Sequence, residues 1–299
     1  MEDKINSIVC FGEILWDVLP TATLPGGAPM NVAYHLKKLG NEPAIISRIG
    51  NDELGRKLIE LFTDNNINCA NIQTDEKLQT GKVNATIWRN NEVTYDIIKP
   101  VAWDNICWQA NFESLVGNAD YFVFGSLASR STVSQNTLFK LLEMAKYKVF
   151  DVNLRAPHYN KEIVEKLLPD VRLLKLNEDE LIIVSDWFAD VKTEEERINM
   201  LQNKFNISFI VVTKGSEGAV LNYEGKFYNH NSYKVNVADT VGAGDCFLAA
   251  LITKLSLMES PENSLRYACA AGALIAGYSG ACPNYRISQI DELIANDRN

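Results

Sequence analysis

The chain has 299 residues, 46% of them hydrophobic, enough for a large core in one big domain or two small ones. Its net charge of -9 and the lack of a Lys/Arg cluster argue against a nucleic-acid surface and against an anionic membrane as partner. No stretch has the length of a membrane span, and the acidic opening "MEDKINSIVCFGEILWD" has too short an apolar run for a signal peptide, so a cytoplasmic protein is expected. Six cysteines (Cys10, Cys69, Cys107, Cys246, Cys269, Cys282) lie far apart with no C-x-x-C pair, the pattern of buried reduced thiols. The three histidines are equally scattered, against a zinc site or a histidine-based hydrolase.

Short apolar runs alternate with helical periods. "SIVCFG" (Ser7 to Gly12) reads as the first strand and is followed by the polar "GEILWD". "NVAYHLKKLG" is a helix with Ala33, Leu36 and Leu39 on one face, and "AIISRIG" (Ala44 to Gly50) is the next strand. The helix "ELGRKLIELF" follows. "GKVNATIWRNNEVTYDIIK" (Gly81 to Lys99) then breaks the rhythm, reading as two strands around the turn "RNN". Val83, Ala85 and Ile87 share one face of this hairpin, as do Val93, Tyr95 and Ile97. Such a face needs a partner: a ligand, a second subunit, or the chain's own sheet.

Strands are next expected at "YFVFGS" (Tyr121 to Ser126), "KVFDVN" (Lys148 to Asn153), "RLLKLN" (Arg172 to Asn177) and "SFIVVTKG" (Ser208 to Gly215). The helices "SQNTLFKLLEMA" and "TEEERINMLQNKF" lie among them. Strands apolar on both faces, separated by helices, predict an α/β fold with a mainly parallel sheet between two helical layers. In such sheets ligands sit outside the carboxyl ends of the strands. That rule gives "GEILWD", "SRIGND", "DVNLR", "LNEDE" and "TKGSEG" a common address.

"DTVGAGDCFLAAL" (Asp239 to Leu251) carries the most chemistry. Gly-Ala-Gly weakens a helix start, a cost that a single cap does not require. If the helix begins near Gly242, its free amides and the positive end of its dipole make a phosphate site. It is neither G-x-x-x-x-G-K-[ST] nor G-x-G-x-x-G, which would need Gly at Phe247. Asp245 would repel phosphate, yet it suits taking a proton from a hydroxyl that attacks one; capping alone is the plain alternative. Asn177 and Glu180, three apart at a helix start, face one side and suit magnesium held through water, or form a capped acidic turn. Arg155 offers a fork of donors for sugar oxygens or phosphate, or a partner for Asp151. Thr213 and Gly215 end a strand where backbone could approach a nucleotide; Lys214 is read as open between that role and a solvated charge.

Together "DTVGAGDCF", "GGAPMNVAYHLKKLG" (Gly26 to Gly40), "GNDELG" (Gly50 to Gly55), "NEDE" and "TKGSEG" resemble, in order, the motifs of the ribokinase-like (phosphofructokinase-B) carbohydrate kinases. The resemblance spans essentially the whole chain. It implies one three-layer α/β/α domain over 1–299 with a small β-sheet lid, from segments near 16–24 and 80–104. It implies Asp245 as catalytic base and the Gly242, Ala243 and Gly244 amides as anion hole. Asp17, Gly27 and Asn31 would hold the sugar with Arg155, and Asn177, Thr213, Gly215 and Gly218 would serve ATP. Mg2+ would lie by Asn177 and Glu180, and K+ by Asp239 and "GACPN" (Gly280 to Asn284).

"GEILWDVLP" and "VTYDIIKPVAWD" resemble the family's bacterial fructokinases, which phosphorylate the 6-hydroxyl, and "DVNLR" resembles an element these share with 2-keto-3-deoxygluconate kinases; those kinases and ribokinases are the alternatives. No second basic residue stands near Arg155 in sequence, which favours a neutral sugar over a phosphorylated or carboxylated one. A homodimer through the lid is expected. A non-catalytic sugar or nucleotide sensor should have lost Asp245, Asn177 or Glu180, and all three are present. A dinucleotide oxidoreductase should carry the glycine fingerprint after its first strand.

Overall fold

The computed structural model of the chain describes residues 6–19, 22–87 and 93–297. The strands are β1 (Ser7–Phe11), β2 (Leu15–Val18), β3 (Thr23–Gly26), β4 (Glu42–Gly50), β5 (Ile72–Asp75), β6 (Gly81–Ile87), β7 (Val93–Ile97), β8 (Tyr121–Gly125), β9 (Lys148–Asp151), β10 (Val171–Asn177), β11 (Phe209–Thr213), β12 (Ala219–Tyr223) and β13 (Lys226–His230). Helices α1 (Ala28–Lys38), α2 (Glu53–Asp64), α8 (Ala243–Ser256), α9 (Pro261–Ala276) and α10 (Ile287–Asn296) share one core cluster. Helices α3 (Asn111–Asn118), α4 (Thr132–Met144), α5 (Lys161–Leu167), α6 (Glu178–Asp186) and α7 (Glu194–Phe205) contribute to the other.

Between them lies a nine-stranded sheet in the order β13-β12-β11-β10-β9-β8-β1-β4-β5. All its pairings from β11 to β5 are parallel, and β12 and β13 add an antiparallel hairpin at one edge. Strand pleating divides the core: Ile8 and Cys10 enter one cluster, while Val9 and Phe11 enter the other. Val149 and Phe150 divide in the same way, and Phe150 stacks on Phe124 at 4.9 Å between centroids. β1 pairs with β4 on one side and β8 on the other, so the chain reverses direction across the sheet there. That reversal opens a crevice at the strands' carboxyl ends.

The second sheet, β3-β2-β6-β7, is the expected lid. Val83 and Ile97 are buried on its inner face. The turn "RNN" and the side chains of Ala85, Ile87, Val93 and Tyr95, which the expected apolar face also used, lie outside the described residues. The sheet ends at Ile97, short of the expected 104: Val101, Ala102, Trp103 and Asp104 are packed into the main body. Arg130 anchors this exit, donating to Asp104 and to the Ile97 and Ile98 carbonyls while stacking on Trp103 at 3.8 Å. At the other root, Asp52 caps α2 through the Gly55 amide and also binds the Thr80 amide and hydroxyl. "SRIGND" therefore braces the lid instead of facing the crevice.

Two smaller expectations change. Cys10, Cys246 and Cys269 are buried, but Cys69, Cys107 and Cys282 are only partly so; all six are free thiols. The β12–β13 hairpin was not expected from the alternation; its turn is Glu224-Gly225, both at positive φ, the geometry of a tight hairpin. No helix among the described residues is long and apolar enough to cross a membrane.

Candidate active site

A cleft of about 480 Å³ lies between the main sheet's carboxyl edge and the lid. The end expected to take phosphate is built by α8. Gly242 is the N-cap, with φ 79°, a left-handed conformation that glycine tolerates. A Cβ there would come within 2.6 Å of the Ala281 Cα, so backbone packs on backbone. The Ala243 amide is taken by the Thr240 carbonyl at 3.3 Å. Of the three residues expected to form an anion hole, Gly242 and Gly244 line the cleft, in a helix turn that offers no internal carbonyls to their amides.

Asp245 occupies the third helical position and lines the cleft. Asn31 Nδ2 donates to its Oδ2 at 2.8 Å, and the Cys282 thiol donates to Asn31 Oδ1 at 3.4 Å. Burial pushes the Asp245 carboxyl up to about 6, helped by the Asp151 charge and opposed by Lys175, Asn31 and Arg155. A carboxylate poised near neutral pH, at a helix N-terminus with room for a hydroxyl, is equipped for general-base work. Asn31, expected on the sugar, lines the cleft and also holds the Asp245 carboxylate in orientation.

Behind Asp245 stands a pair that sequence reasoning missed. Lys175, in the middle of β10, bonds both oxygens of Asp151 on β9, at 2.9 and 2.8 Å. Burial disfavours its charge, but Asp151, Glu180 and Asp245 outweigh that and raise its pKa. Arg155 therefore does not pair with Asp151; it is exposed at the cleft mouth and donates to the Leu154 carbonyl at 3.4 Å. A lysine inside the apolar run "RLLKLN" was the available signal, because a lysine in a buried strand needs a partner. The sequence gap around Arg155 also closes in space, since both cations line the cleft.

Asn177 and Glu180 form a reciprocal cap at the start of α6. Glu180 Oε2 accepts from the Asn177 amide at 2.9 Å, its Oε1 accepts from the Leu154 amide at 2.8 Å, and Asn177 Oδ1 accepts from the Glu180 amide. Capping and cleft lining coexist, and Glu180 is buried, not the solvated acid of a surface turn. No group of three or more His, Cys, Asp or Glu among the described residues could hold a metal directly. The donor set fits magnesium carried by phosphates and kept in place through its waters.

The lid end is lined by Leu15, Asp17, Val83 and Ile97. Burial raises Asp17 to about 6, with Arg155 lowering it and Asp239 raising it. Gly27, the N-cap of α1 at φ 110°, packs against the Glu13 backbone where a Cβ would collide. Glu13 itself is a second missed residue: it is 2% exposed, lines the cleft, and is raised to about 7, chiefly by burial.

Helix α1 grips residues 281–285 with one face, which the periodicity of apolar residues did not disclose. Asn31 meets Cys282, the Tyr34 hydroxyl donates to the Pro283 carbonyl at 2.9 Å, and His35 bonds the Ala281 carbonyl at 2.9 Å and the Tyr285 hydroxyl at 3.2 Å. Burial lowers His35 to about 4, so the ring is neutral and donates to Ala281. Ala281 is the residue packed on Gly242, so this grip seats the phosphate end.

Of the remaining expected residues, Thr213 lines the cleft, while Gly215 and Gly218 lie in the turn after β11 and are not among its lining residues. Lys214 is ion-paired with Glu194 at 2.6 Å. Asp239 lines the cleft, accepting from the Val241 amide at 3.0 Å and the Gly280 amide at 3.2 Å. Asn284, in the same loop, accepts from Lys38 at 2.8 Å.

The chain is similar to known proteins over nearly its whole length. Fructokinase-2 of Solanum lycopersicum is 28% identical over 306 residues, 92% of each chain. A fructokinase with bound ATP from Xylella fastidiosa superposes with a TM-score of 0.87 at 21% identity, covering 98% of this chain and 99% of that one. A fructokinase from Vibrio cholerae, solved with fructose, ADP and a calcium ion, gives a TM-score of 0.81 at 24% identity, over 97% and 98% of the two chains. The sequence pattern of the pfkB family carbohydrate kinases matches residues 7–287, and the chain belongs to that family.

Proposed function

We propose that the protein transfers the γ-phosphate of ATP to the 6-hydroxyl of fructose. The observation that carries this reading is Asp245: a carboxyl raised to about 6, oriented by Asn31, beside open helix-start amides in a lid-lined cleft. The acceptor hydroxyl gives its proton to Asp245 as it attacks. The Gly242 and Gly244 amides and Lys175 stabilise the charge spread over the moving phosphoryl group. Thr213, Gly215 and Gly218 serve the nucleotide, and Asp17, Gly27 and Arg155 the sugar. Magnesium, when bound, neutralises phosphate charge, with Asn177 and Glu180 ordering its waters. The lid excludes water from the transfer.

Charge selects the acceptor. Six carboxyl side chains line the cleft (Glu13, Asp17, Asp151, Glu180, Asp239, Asp245) against two cations, Lys175 and Arg155, and Lys175 is already matched by Asp151. A sugar bearing its own carboxylate or phosphate would meet net repulsion there. This supports fructose over 2-keto-3-deoxygluconate, and the fructokinase relatives support it over ribose. ADP release from magnesium-ATP should be fastest with fructose when fructose, ribose, 2-keto-3-deoxygluconate, glucose and adenosine are supplied separately. Preference for another sugar would overturn the substrate, and no turnover on any would favour a sensor. Asp239 and the Gly280 loop are proposed to hold a potassium ion, so replacing sodium by potassium at constant ionic strength should raise turnover; a flat response would remove that assignment.

A further inference from the structure

Glu13 has no assigned task, although it is among the costliest groups in the cleft to leave unused. It stands two residues after the end of β1, is 2% exposed, and lines the cleft. Its Oε2 is buried and finds no hydrogen-bond partner among the described residues. It caps no helix and makes no ion pair there; the charges that act on it, Arg155, Asp245 and Arg130, act at a distance. Buried carboxyl oxygens are normally satisfied, and an unsatisfied one costs more than a typical hydrogen bond returns. Its carbonyl packs against Gly27 and it shares the cleft wall with Asp17, so it stands on the lid side. A polyphosphate would be repelled there. A sugar hydroxyl would supply the missing donor.

We propose that Glu13 is a specificity-determining residue of the acceptor site, whose carboxyl binds a sugar hydroxyl other than the one phosphorylated. The proposal rests on the sugar-kinase reading. It requires the acceptor to carry a second hydroxyl within reach of the β1 end, so deoxy sugars lacking it are discriminated against. Sites that hydrogen-bond a hydroxyl reject the analogue without it more strongly than apolar pockets reject a changed methylene.

The test pairs Glu13→Ala and Glu13→Gln with fructose and its monodeoxy analogues, measured by ADP release and by calorimetric titration of sugar without ATP. One deoxyfructose should bind the unmodified protein about 10- to 100-fold more weakly than fructose does. Glu13→Ala should weaken fructose by a similar factor, and for that one analogue the difference between the two proteins should shrink to about twofold. Glu13→Gln should fall between, because an amide still offers an acceptor, and KM for ATP should stay within about twofold in both variants. An equal loss on every analogue, or an equal rise in KM for ATP, would overturn the proposal, since a residue that only shapes the cleft gives that result. Calorimetry separates the two readings: sugar binding through Glu13 without phosphate transfer would sink the kinase assignment alone, and an unchanged fructose affinity in both variants would sink this one alone.

Discussion

The two ends of the cleft are made differently. At the end proposed to take phosphate, the wall is built on backbone: α8 begins on Gly242, Gly242 rests on Ala281, and Ala281 is held by a buried neutral histidine. The following residues, Cys246 to Thr253, are buried without a break. At the lid end, Glu13 from the loop after β1, Asp17 from β2, Val83 from β6, Ile97 from β7 and Arg155 from the loop after β9 converge, and the sheet that carries three of them is only four strands wide. A rigid end suits charge stabilisation, which depends on donors already in place. An end assembled on a small sheet can close over a sugar and open to release it.

The largest expected effect strikes the rigid end. Lys175→Met would leave Asp151 buried without its counter-charge, a loss of about 3–5 kcal/mol for a broken buried pair. Chemical denaturation should show it. The double variant Lys175→Met/Asp151→Leu should recover most of the stability but not the activity. If the single variant were as stable as the parent, the pair would not be structural. Asp245→Asn should fold normally yet lower kcat roughly a hundredfold or more. Near-normal turnover would remove Asp245 from the role of base. Because the base must be ionised, kcat/KM should fall as pH drops through about 6, where the Asp245 carboxyl takes up its proton. Asp17 and Glu13 titrate nearby, so the Asp245→Asn profile identifies which part of that limb belongs to the base.

These contrasts also explain what could be read from the chain. The helix start proposed for phosphate lies in thirteen consecutive letters, Asp239 to Leu251, so helix-start logic placed it near Gly242, where α8 begins. The layered fold was equally legible, because strands covered on both faces are continuous apolar runs. The lid end draws on Glu13, Asp17, Val83, Ile97 and Arg155, which no local pattern unites. Lys175 looked like one charge in an apolar strand until β9 brought Asp151 against it. The grip of α1 on residues 281–285 spans about 250 positions, and its members, Asn31, Tyr34 and His35, resemble ordinary helix residues in sequence. "GNDELG" was legible as a motif but not in purpose, since only the fold puts Asp52 beside Thr80.

Two neighbouring glycines sharpen the distinction between holding the fold and serving the ligand. Gly242→Ala places a side chain in a left-handed conformation and against the Ala281 backbone, so it should cost about 1–3 kcal/mol and displace the helix start. Turnover should fall at least about tenfold with it, because small misplacements of transition-state donors are expensive. A Cβ on Gly244 would meet only the end of the Lys175 side chain, Nζ at 3.5 Å and Cε at 3.7 Å, ordinary contacts. Gly244→Ala should therefore melt close to the parent while still losing activity, because the added methyl group stands where phosphate must approach. Equal stability losses at the two positions would mean that Gly242 is not the seat of the helix.

The smallest effect belongs to the lid. Val83 is 7% exposed and faces the cleft from β6, where it can contribute only apolar cover. Val83→Ser should raise KM for the sugar about fivefold, the equivalent of ~1 kcal/mol of lost apolar burial, while leaving kcat within about twofold. The more telling readout is ATP hydrolysis uncoupled from sugar phosphorylation. A polar group under the lid invites water to the place where the acceptor hydroxyl should stand, so the ratio of ADP to sugar phosphate should rise above one. If that ratio stayed at one while sugar affinity fell, the lid would be a binding surface only, and exclusion of water would have to come from the rigid end.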